Sequence, residues 1–156
     1  SEPPDFSGFN DPAKAKVIAK GMIDKGVDVI YSAAGGSGAG NFQAAAESSK
    51  KVWTIGVDSD QYLTASAKEK KNMLTSMLKR VDQAVYDVIE NAVAGRTVND
   101  ILDPKAGIYG RRYDLTAGGV GVSYSGGYIN KYKAQIEAAA AAIKSGKIKV
   151  PSVPGK

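Results

Sequence analysis

Hydrophobic positions recur at helical spacing near the start of the chain. Within residues 13–25, Ala15, Ile18, Ala19 and Met22 fall on one face of a helix. Their spacing of three or four predicts an amphipathic helix. Asn10 or Asp11 can cap its first N–H groups, and Pro12 fits the first helical position. Gly26 suits the left-handed residue that follows a helix end.

Two further helices are predicted downstream. The stretch 80–95 has the clearest periodicity in the chain, with apolar positions at Val81, Ala84, Val85, Val88, Ile89 and Ala92. Gly95 is expected to end this helix. The stretch 129–147 is rich in alanine at 138–142 and predicts a final helix.

Short apolar runs between the helices predict strands. VDVIYSAA (27–34) is typical of a buried strand, VWTIGVD (52–58) of a second, and NMLTSML (72–78) of a third strand or an extended approach. NFQAAAESSKK (41–51) is expected to be helical, and the polar stretch 59–72 to be a connector. This alternation predicts an α/β fold, a parallel sheet flanked by helices.

Composition excludes several classes of protein. The 156 residues include neither Cys nor His, which removes thiol nucleophiles, imidazole bases and the usual zinc ligands. We therefore expect no enzyme activity and no cofactor. The net charge of +5 is dispersed apart from Lys68, Lys70 and Lys71, which favours a solvated lysine surface over nucleic-acid binding. No apolar run approaches the roughly 18–20 residues that cross a bilayer.

Candidate chemistry follows two of the predicted strands. Residues 34–40, AGGSGAG, would let the backbone approach a ligand and present N–H groups at the next helix. Asp58 ends the second strand, where a carboxylate can accept both hydroxyl hydrogens of a ribose diol. Asp60 is a weaker candidate for the same task. Ligands of open α/β sheets bind beyond these carboxyl ends of the strands.

Three interpretations of the glycine loop remain open. A nicotinamide dinucleotide site would have this order of elements, with Asp58 eighteen residues after Gly40. However, the G-x-G-x-x-G spacing that starts at Gly36 requires glycine where Asn41 stands. A purely structural turn with a surface aspartate is the second interpretation. A site for a non-redox ligand is the one we favour.

Three motifs carry a resemblance to a known family. FNDPAK (9–14), AGGSGAG and GVDSDQ (56–61) occur in the order and spacing of the basic membrane protein family of ABC-transporter solute-binding lipoproteins, the PnrA-like purine nucleoside receptors. The resemblance extends from Phe9 to the terminal KIKVPSVP. It implies one lobe of a type I periplasmic-binding fold, in which two lobes close on a ligand. The chain resembles only the C-terminal half, so it is expected to be trimmed or a fragment, without the lipid-bearing Cys.

The resemblance also implies roles for four residues. Phe9 would stack on the purine, or alternatively cover the following helix as a hydrophobic residue. Gly35 would place its backbone against the nucleoside, or form an ordinary turn. Asp58 would bind the ribose hydroxyls. Lys79 would donate hydrogen bonds to the ligand; a merely solvated lysine fits poorly there, because cations are disfavoured at helix N-termini.

The implied function is the extracytoplasmic solute-binding component of an ABC importer. Its partners would be a nucleoside and, through the intact receptor, a membrane permease. The resemblance divides the chain into a core lobe (1–104), crossover strands (105–128) and a terminal helix with a tail (129–156). Aromatic residues in 108–124 would face the absent lobe, so self-association of this half is expected. The sensory domain of a transcription regulator is an alternative with the same architecture.

Overall fold

The computed structural model describes residues 5–97, 102 and 110–151. Its helices are α1 (Pro12–Asp24), α2 (Gly38–Glu47), α3 (Ala67–Lys70), α4 (Val81–Val93) and α5 (Lys133–Lys144). Its strands are β1 (Val29–Tyr31), β2 (Trp53–Gly56), β3 (Met73–Lys79) and β4 (Val120–Val122). Short 3₁₀ helices occupy Ser7–Asn10, Gly35–Ser37 and Asn130–Tyr132. In the part described, no helix has the length and apolar character needed to span a membrane.

The strands form one sheet in the order β1-β2-β3-β4. β1 pairs with β2 in parallel, with Tyr31 beside Ile55, and β2 pairs with β3 in parallel, with Ile55 beside Thr75. Helices alternate with these strands along the chain. The predicted α/β fold with a parallel sheet is thus confirmed, and the third apolar run is a full strand.

The predicted helix boundaries follow from local chemistry. The Asp11 carboxylate caps α1 by accepting the Lys14 N–H at 2.9 Å, and Pro12 opens the helix. Gly26 and Gly95 adopt φ of 95° and 74°, as expected for residues beyond a helix end. The connector contains one unpredicted turn of helix, α3. Ser66 and Glu69 cap its N-terminus through a reciprocal capping box.

The expectation that the first strand is buried is wrong for two of its three residues. Ile30 is buried, whereas Val29 and Tyr31 are 43% and 52% exposed. The physical reason is position, because β1 is the edge strand of the sheet described. A continuous apolar run therefore cannot by itself distinguish a central strand from an edge strand.

The described chain divides into two compact units. The first comprises the residues up to Leu78 together with Val122–Asn130, and the second comprises Lys79–Gly121 with the residues from Lys131. The core of the first unit lies where α1 and α2 pack with the sheet. Its buried cluster is Ala19, Ile23, Ile30, Ala44, Ala45 and Val52.

The second unit contains α4 and α5. The apolar stripe of α4 forms a helix as predicted, but it remains largely exposed: Val85, Val88 and Ile89 are 53%, 47% and 57% accessible. Of the aromatic residues expected to face an absent lobe, Tyr113 in this unit and Tyr124 in the first unit are half-buried, and Tyr109 lies outside the described residues. Among the residues described in this unit, α4 therefore carries several exposed large apolar side chains.

Candidate functional site

The carboxyl ends of β1 and β2 lie side by side, because the two strands are parallel and in register. Tyr31 pairs with Ile55, so the loop that begins at Ser32 and the turn that begins at Val57 leave the same edge of the sheet. This edge is where open α/β sheets bind ligands.

Phe9 and Gly35 are in direct contact. A Cβ added at Gly35 would lie 3.0 Å from the Phe9 carbonyl oxygen and 3.4 Å from its Cβ. Gly35 also has a φ of 55°, which disfavours any side chain. The Phe9 side chain is 54% exposed and lies 6.3 Å, centroid to centroid, from the Phe6 ring. Close packing on a glycine thus leaves an aromatic ring accessible at the sheet edge.

Ser37 holds this pair of segments together. Its hydroxyl donates to the Gly8 carbonyl at 2.6 Å and accepts the Asp11 N–H at 2.7 Å. The residue is 2% exposed, so both bonds are shielded from water. This buried serine fixes the segment that carries Phe9 over the loop that carries Gly35.

The other glycines of the loop serve packing. A Cβ at Gly40 would lie 2.0 Å from the Pro12 carbonyl oxygen and 2.7 Å from the Lys16 nitrogen, so α1 and α2 approach too closely for any side chain. A Cβ at Gly38 would lie 3.2 Å from that of Ser32. The Gly38 N–H bonds to carbonyls of Gly35 and Gly36 and is already satisfied within the loop.

Asp58 follows β2 in a strained conformation. Its φ is 69°, and among the described residues other than glycine it alone has a positive φ. Left-handed backbone costs a residue with a side chain roughly 1–2 kcal/mol, although aspartate tolerates it better than most. Its side chain is exposed. Strained residues cluster at ligand-binding and active sites, so this exposed carboxylate at a strand end is a candidate ligand-binding group.

Gln61 shapes the turn that presents Asp58. Its side-chain oxygen accepts the Val57 N–H at 2.7 Å, and its backbone N–H donates to the Ser76 hydroxyl at 3.2 Å. Gly56 makes room for both partners, because a Cβ there would lie 2.6 Å from the Gln61 oxygen and 2.7 Å from the Ser76 oxygen. GVDSDQ is therefore one structural unit.

Asp60 is the second carboxylate of this turn. One of its oxygens accepts a hydrogen bond from the Ser125 hydroxyl. The other is buried and has no hydrogen-bond partner among the described residues. This carboxylate is thus anchored on one side only.

Lys79 is the last residue of β3, and its side chain is exposed. It belongs to the second compact unit, whereas Phe9, Gly35 and Asp58 belong to the first. The structure therefore brings Phe9 and Gly35 together, and it places Asp58 at the same sheet edge. The role predicted for Lys79 stays a prediction.

Sequence reasoning missed the residues that support the site. Ser37, Gln61 and Ser76 bind no predicted ligand, but they fix the two loops through partly buried hydrogen bonds. Gln61 is within the GVDSDQ motif, so its position was a usable signal. Ser76 was detectable as a polar residue inside an apolar strand, since a buried hydroxyl requires a partner.

A cavity of about 390 Å³ lies beside β1 and reaches the carboxyl end of that strand. Its lining is mostly apolar and comes from α1, β1 and the segment between them, together with Gly8, Ala34 and Ser37. The polar residues Asp11, Lys14 and Asn41 also line it. Phe9, Gly35 and Asp58 do not line it. The cavity therefore lies along the outer side of β1, and it is distinct from the residues predicted to contact the ligand.

Relatives of known name match most of the chain. A CD4+ T-cell-stimulating antigen of Listeria monocytogenes is 41% identical over 96% of this chain, and the ABC transporter nucleoside-binding protein BmpA of Lactococcus lactis is 35% identical over 92%. The chain spans 44% and 42% of these two proteins, less than half of each.

A solved structure agrees with the sequence comparisons. An ABC transporter solute-binding protein from Aeropyrum pernix K1 superposes with a TM-score of 0.67 at 25% identity, over 94% of this chain and 46% of its own. This likeness confirms one lobe of a periplasmic-binding fold. Residues 5–153 match the family described as ABC transporter substrate-binding protein PnrA-like. The chain therefore belongs to the PnrA-like, or basic membrane protein, family of ABC transporter substrate-binding proteins.

Proposed function

We propose that this chain is the nucleoside-binding C-terminal lobe of an extracytoplasmic receptor that delivers its ligand to an ABC permease. The observation that carries the proposal is the pairing at one sheet edge of an exposed aromatic ring on Gly35 with the strained carboxylate of Asp58. The similarity of this chain to the Lactococcus relative, a nucleoside-binding protein, supports the proposal.

Each residue has a defined task in the proposed complex. Phe9 stacks on the purine, and Gly35 allows close approach of the backbone. Asp58 accepts both ribose hydroxyls, which gives two charge-assisted hydrogen bonds from one side chain. Lys79 donates to the ligand. Affinity comes from stacking and diol recognition, and no covalent bond is made or broken.

The division of the chain stays a proposal of the same kind. In it, residues 1–104 form the core lobe, 105–128 include the crossover strands, and 129–156 form the terminal helix and tail. Residues 98–101, 103–109 and 152–156 lie outside the described part. A structure of the two-lobed protein would test this assignment.

Titration calorimetry on a two-lobed receptor that contains this lobe tests the proposal. Purine ribonucleosides should bind, and the 2′-deoxy analogues should bind more weakly. Asp58→Ala should cost about 2–4 kcal/mol, as for a charged hydrogen-bond partner whose loss leaves donors unpaired. Asp28→Ala is the matched control, because Asp28 is exposed before β1 at the opposite sheet edge.

The expected control result is unchanged affinity. Equal affinity of the wild type and the Asp58→Ala variant would contradict the assignment of Asp58. Binding of a nicotinamide dinucleotide in preference to every nucleoside would contradict the ligand class.

A further inference from the structure

A second concave surface lies in the first unit at the opposite end of the sheet, where the strands begin. It is formed where α2 ends and where the chain enters β2 and β3, and its volume is about 370 Å³. Its lining residues are Ala46, Ser48, Ser49, Lys50, Lys51, Lys68, Lys71 and Asn72. We call this surface the lysine pocket. It lies at the amino ends of the strands, away from Phe9, Gly35 and Asp58.

The lysine pocket concentrates positive charge. Of its eight lining residues four are lysines, all exposed, and none is a carboxylate. The described carboxylates nearest in sequence are engaged: Glu47 pairs with Lys16 and Lys20, and Glu69 accepts from Ser66. Like charges gathered in one concavity repel each other, and an anion placed there relieves the repulsion.

The floor of the pocket is held in place. The Lys51 ammonium donates to the Lys71 carbonyl and to the Asn72 side-chain oxygen, and lies 3.9 Å from the centroid of the Trp53 ring. Asn72 in turn donates to the Ala45 carbonyl at 2.6 Å. One cation is thus positioned before any ligand arrives, while Lys68 and Lys71 stay exposed at the rim.

The chemistry favours phosphate groups over nucleic-acid bases. Stacking of bases requires open aromatic faces. Three aromatic rings of this unit are engaged. Lys51 covers Trp53, whose ring contacts Tyr128 edge-on at 4.8 Å between centroids, and Lys70 lies 5.3 Å from the centroid of Tyr62. The pocket therefore offers cations to an anion and little to a base.

We propose that the lysine pocket binds the phosphate headgroups of an anionic phospholipid bilayer. A family that delivers substrates to a membrane-embedded transporter works within reach of such a surface. Clustered lysines close to an anionic membrane each strengthen binding by about fivefold. The contact would leave the carboxyl ends of β1 and β2 free.

Vesicle cosedimentation of the 156-residue chain tests this. Vesicles of phosphatidylcholine with phosphatidylglycerol should bind the chain at low salt, and pure phosphatidylcholine should not. Lys68→Gln with Lys71→Gln should weaken binding roughly 25-fold, from about fivefold per lysine. Raising NaCl from about 0.05 M to about 0.5 M should release the chain, because the Debye length falls to roughly 4 Å.

The matched control is Lys144→Gln with Lys147→Gln, which removes the same charge from exposed positions at the end of α5. The affinity of this control variant for the vesicles should stay within about threefold of the wild-type affinity, because a loss of net charge alone has a small effect at such positions. An equal loss in both double variants would overturn the proposal, as would salt-independent binding. Saturation by inorganic phosphate or a DNA duplex without vesicle binding would overturn the assignment to lipid.

Discussion

Asp58 is presented by hydrogen bonds that neighbouring residues make. Its backbone is left-handed, with a φ of 69°. The Gln61 side chain accepts the Val57 N–H just before it, and the Gln61 backbone N–H donates to the Ser76 hydroxyl. Residues 56–61 and Ser76 of β3 together therefore determine how this carboxylate is presented.

Gly56→Ala tests whether this turn is built as a unit. The new Cβ would lie 2.6 Å and 2.7 Å from the oxygens of Gln61 and Ser76, so either the turn shifts or both bonds break. We expect a loss of about 1–3 kcal/mol in the free energy of unfolding, as for an overpacked core. Chemical denaturation measures it.

The control for that substitution is Gly21→Ala in α1, where the added Cβ meets no atom within 4 Å. It should stabilise the chain by about 0.5–1 kcal/mol, because alanine favours a helix interior. Were both alanine variants equally stable, the close contacts at Gly56 would have no energetic weight.

Glu47 predicts a dependence of stability on acid. Hydrogen bonds from Lys16 and Lys20, at 2.6 Å and 3.0 Å, lower the pKa of its carboxyl from 4.5 to about 2. A carboxyl whose pKa falls on folding stabilises the folded state above pH 4.5 and loses that contribution as the pH falls towards 2. The bridge joins the end of α2 to α1.

Denaturation of Glu47→Gln and wild type between pH 7 and pH 2 measures this contribution. The variant should be the less stable of the two at pH 7, and the difference should shrink as the pH falls from about 4.5 to 2. Glu137→Gln is the control, because its 3.8 Å contact with Lys133 is longer and exposed. A constant difference across this range would show that the bridge does not act through ionisation.

At the scale of elements, periodicity predicted which segments are helices and strands but not which faces are covered. The stripe on α4 and the run in β1 both appeared suited to burial, and both keep exposed apolar residues. Periodicity reports a side chain's direction relative to its neighbours. What covers that side depends on distant parts of the polypeptide, and this chain spans less than half of its matched relatives.

In the sheet described, no strand pairs with the outer edge of β1. Ser32 N–H bonds to Ile55 and Trp53 N–H bonds to the Asp28 carbonyl, so alternate residues of β1 face β2. The peptide groups of Val29 and Tyr31 consequently point the other way. Their exposed side chains stand beside the 390 Å³ cavity that α1 helps to line. Such an edge attracts another strand.

We predict that the isolated chain self-associates through this edge. Tyr31→Lys should abolish concentration-dependent association in sedimentation equilibrium, because lysine on an edge strand opposes strand addition. Tyr86→Lys on α4 is the matched control, since Tyr86 is 61% exposed and Tyr31 is 52% exposed. Loss of association only in the Tyr86 variant would assign the contact to α4, and a monomeric wild type would contradict self-association altogether.

At the scale of the whole molecule, the chain supplies only part of the proposed binding site. Family membership and the α/β fold were predictable from motif order, because FNDPAK, AGGSGAG and GVDSDQ fix two strand-end loops and the segment that covers one of them. Ligand preference was not predictable from these motifs, since in the proposed two-lobed receptor it would depend on contacts from both lobes. The Listeria and Lactococcus relatives are more than twice as long.

A binding site divided between two lobes should bind its ligand weakly when only one lobe is present. The isolated 156-residue chain should bind purine nucleosides weakly, with no saturation below about 1 mM. One lobe leaves half of the ligand in water, while the entropic cost of capture is undiminished. Calorimetry on the isolated chain, with the Lactococcus nucleoside-binding protein as the positive control, measures the difference. A micromolar dissociation constant for a monomeric chain would mean that Phe9, Gly35 and Asp58 suffice without a second lobe. If the same affinity appeared only in a dimer, a second copy would be completing the cleft, and Tyr31→Lys should then abolish binding together with association.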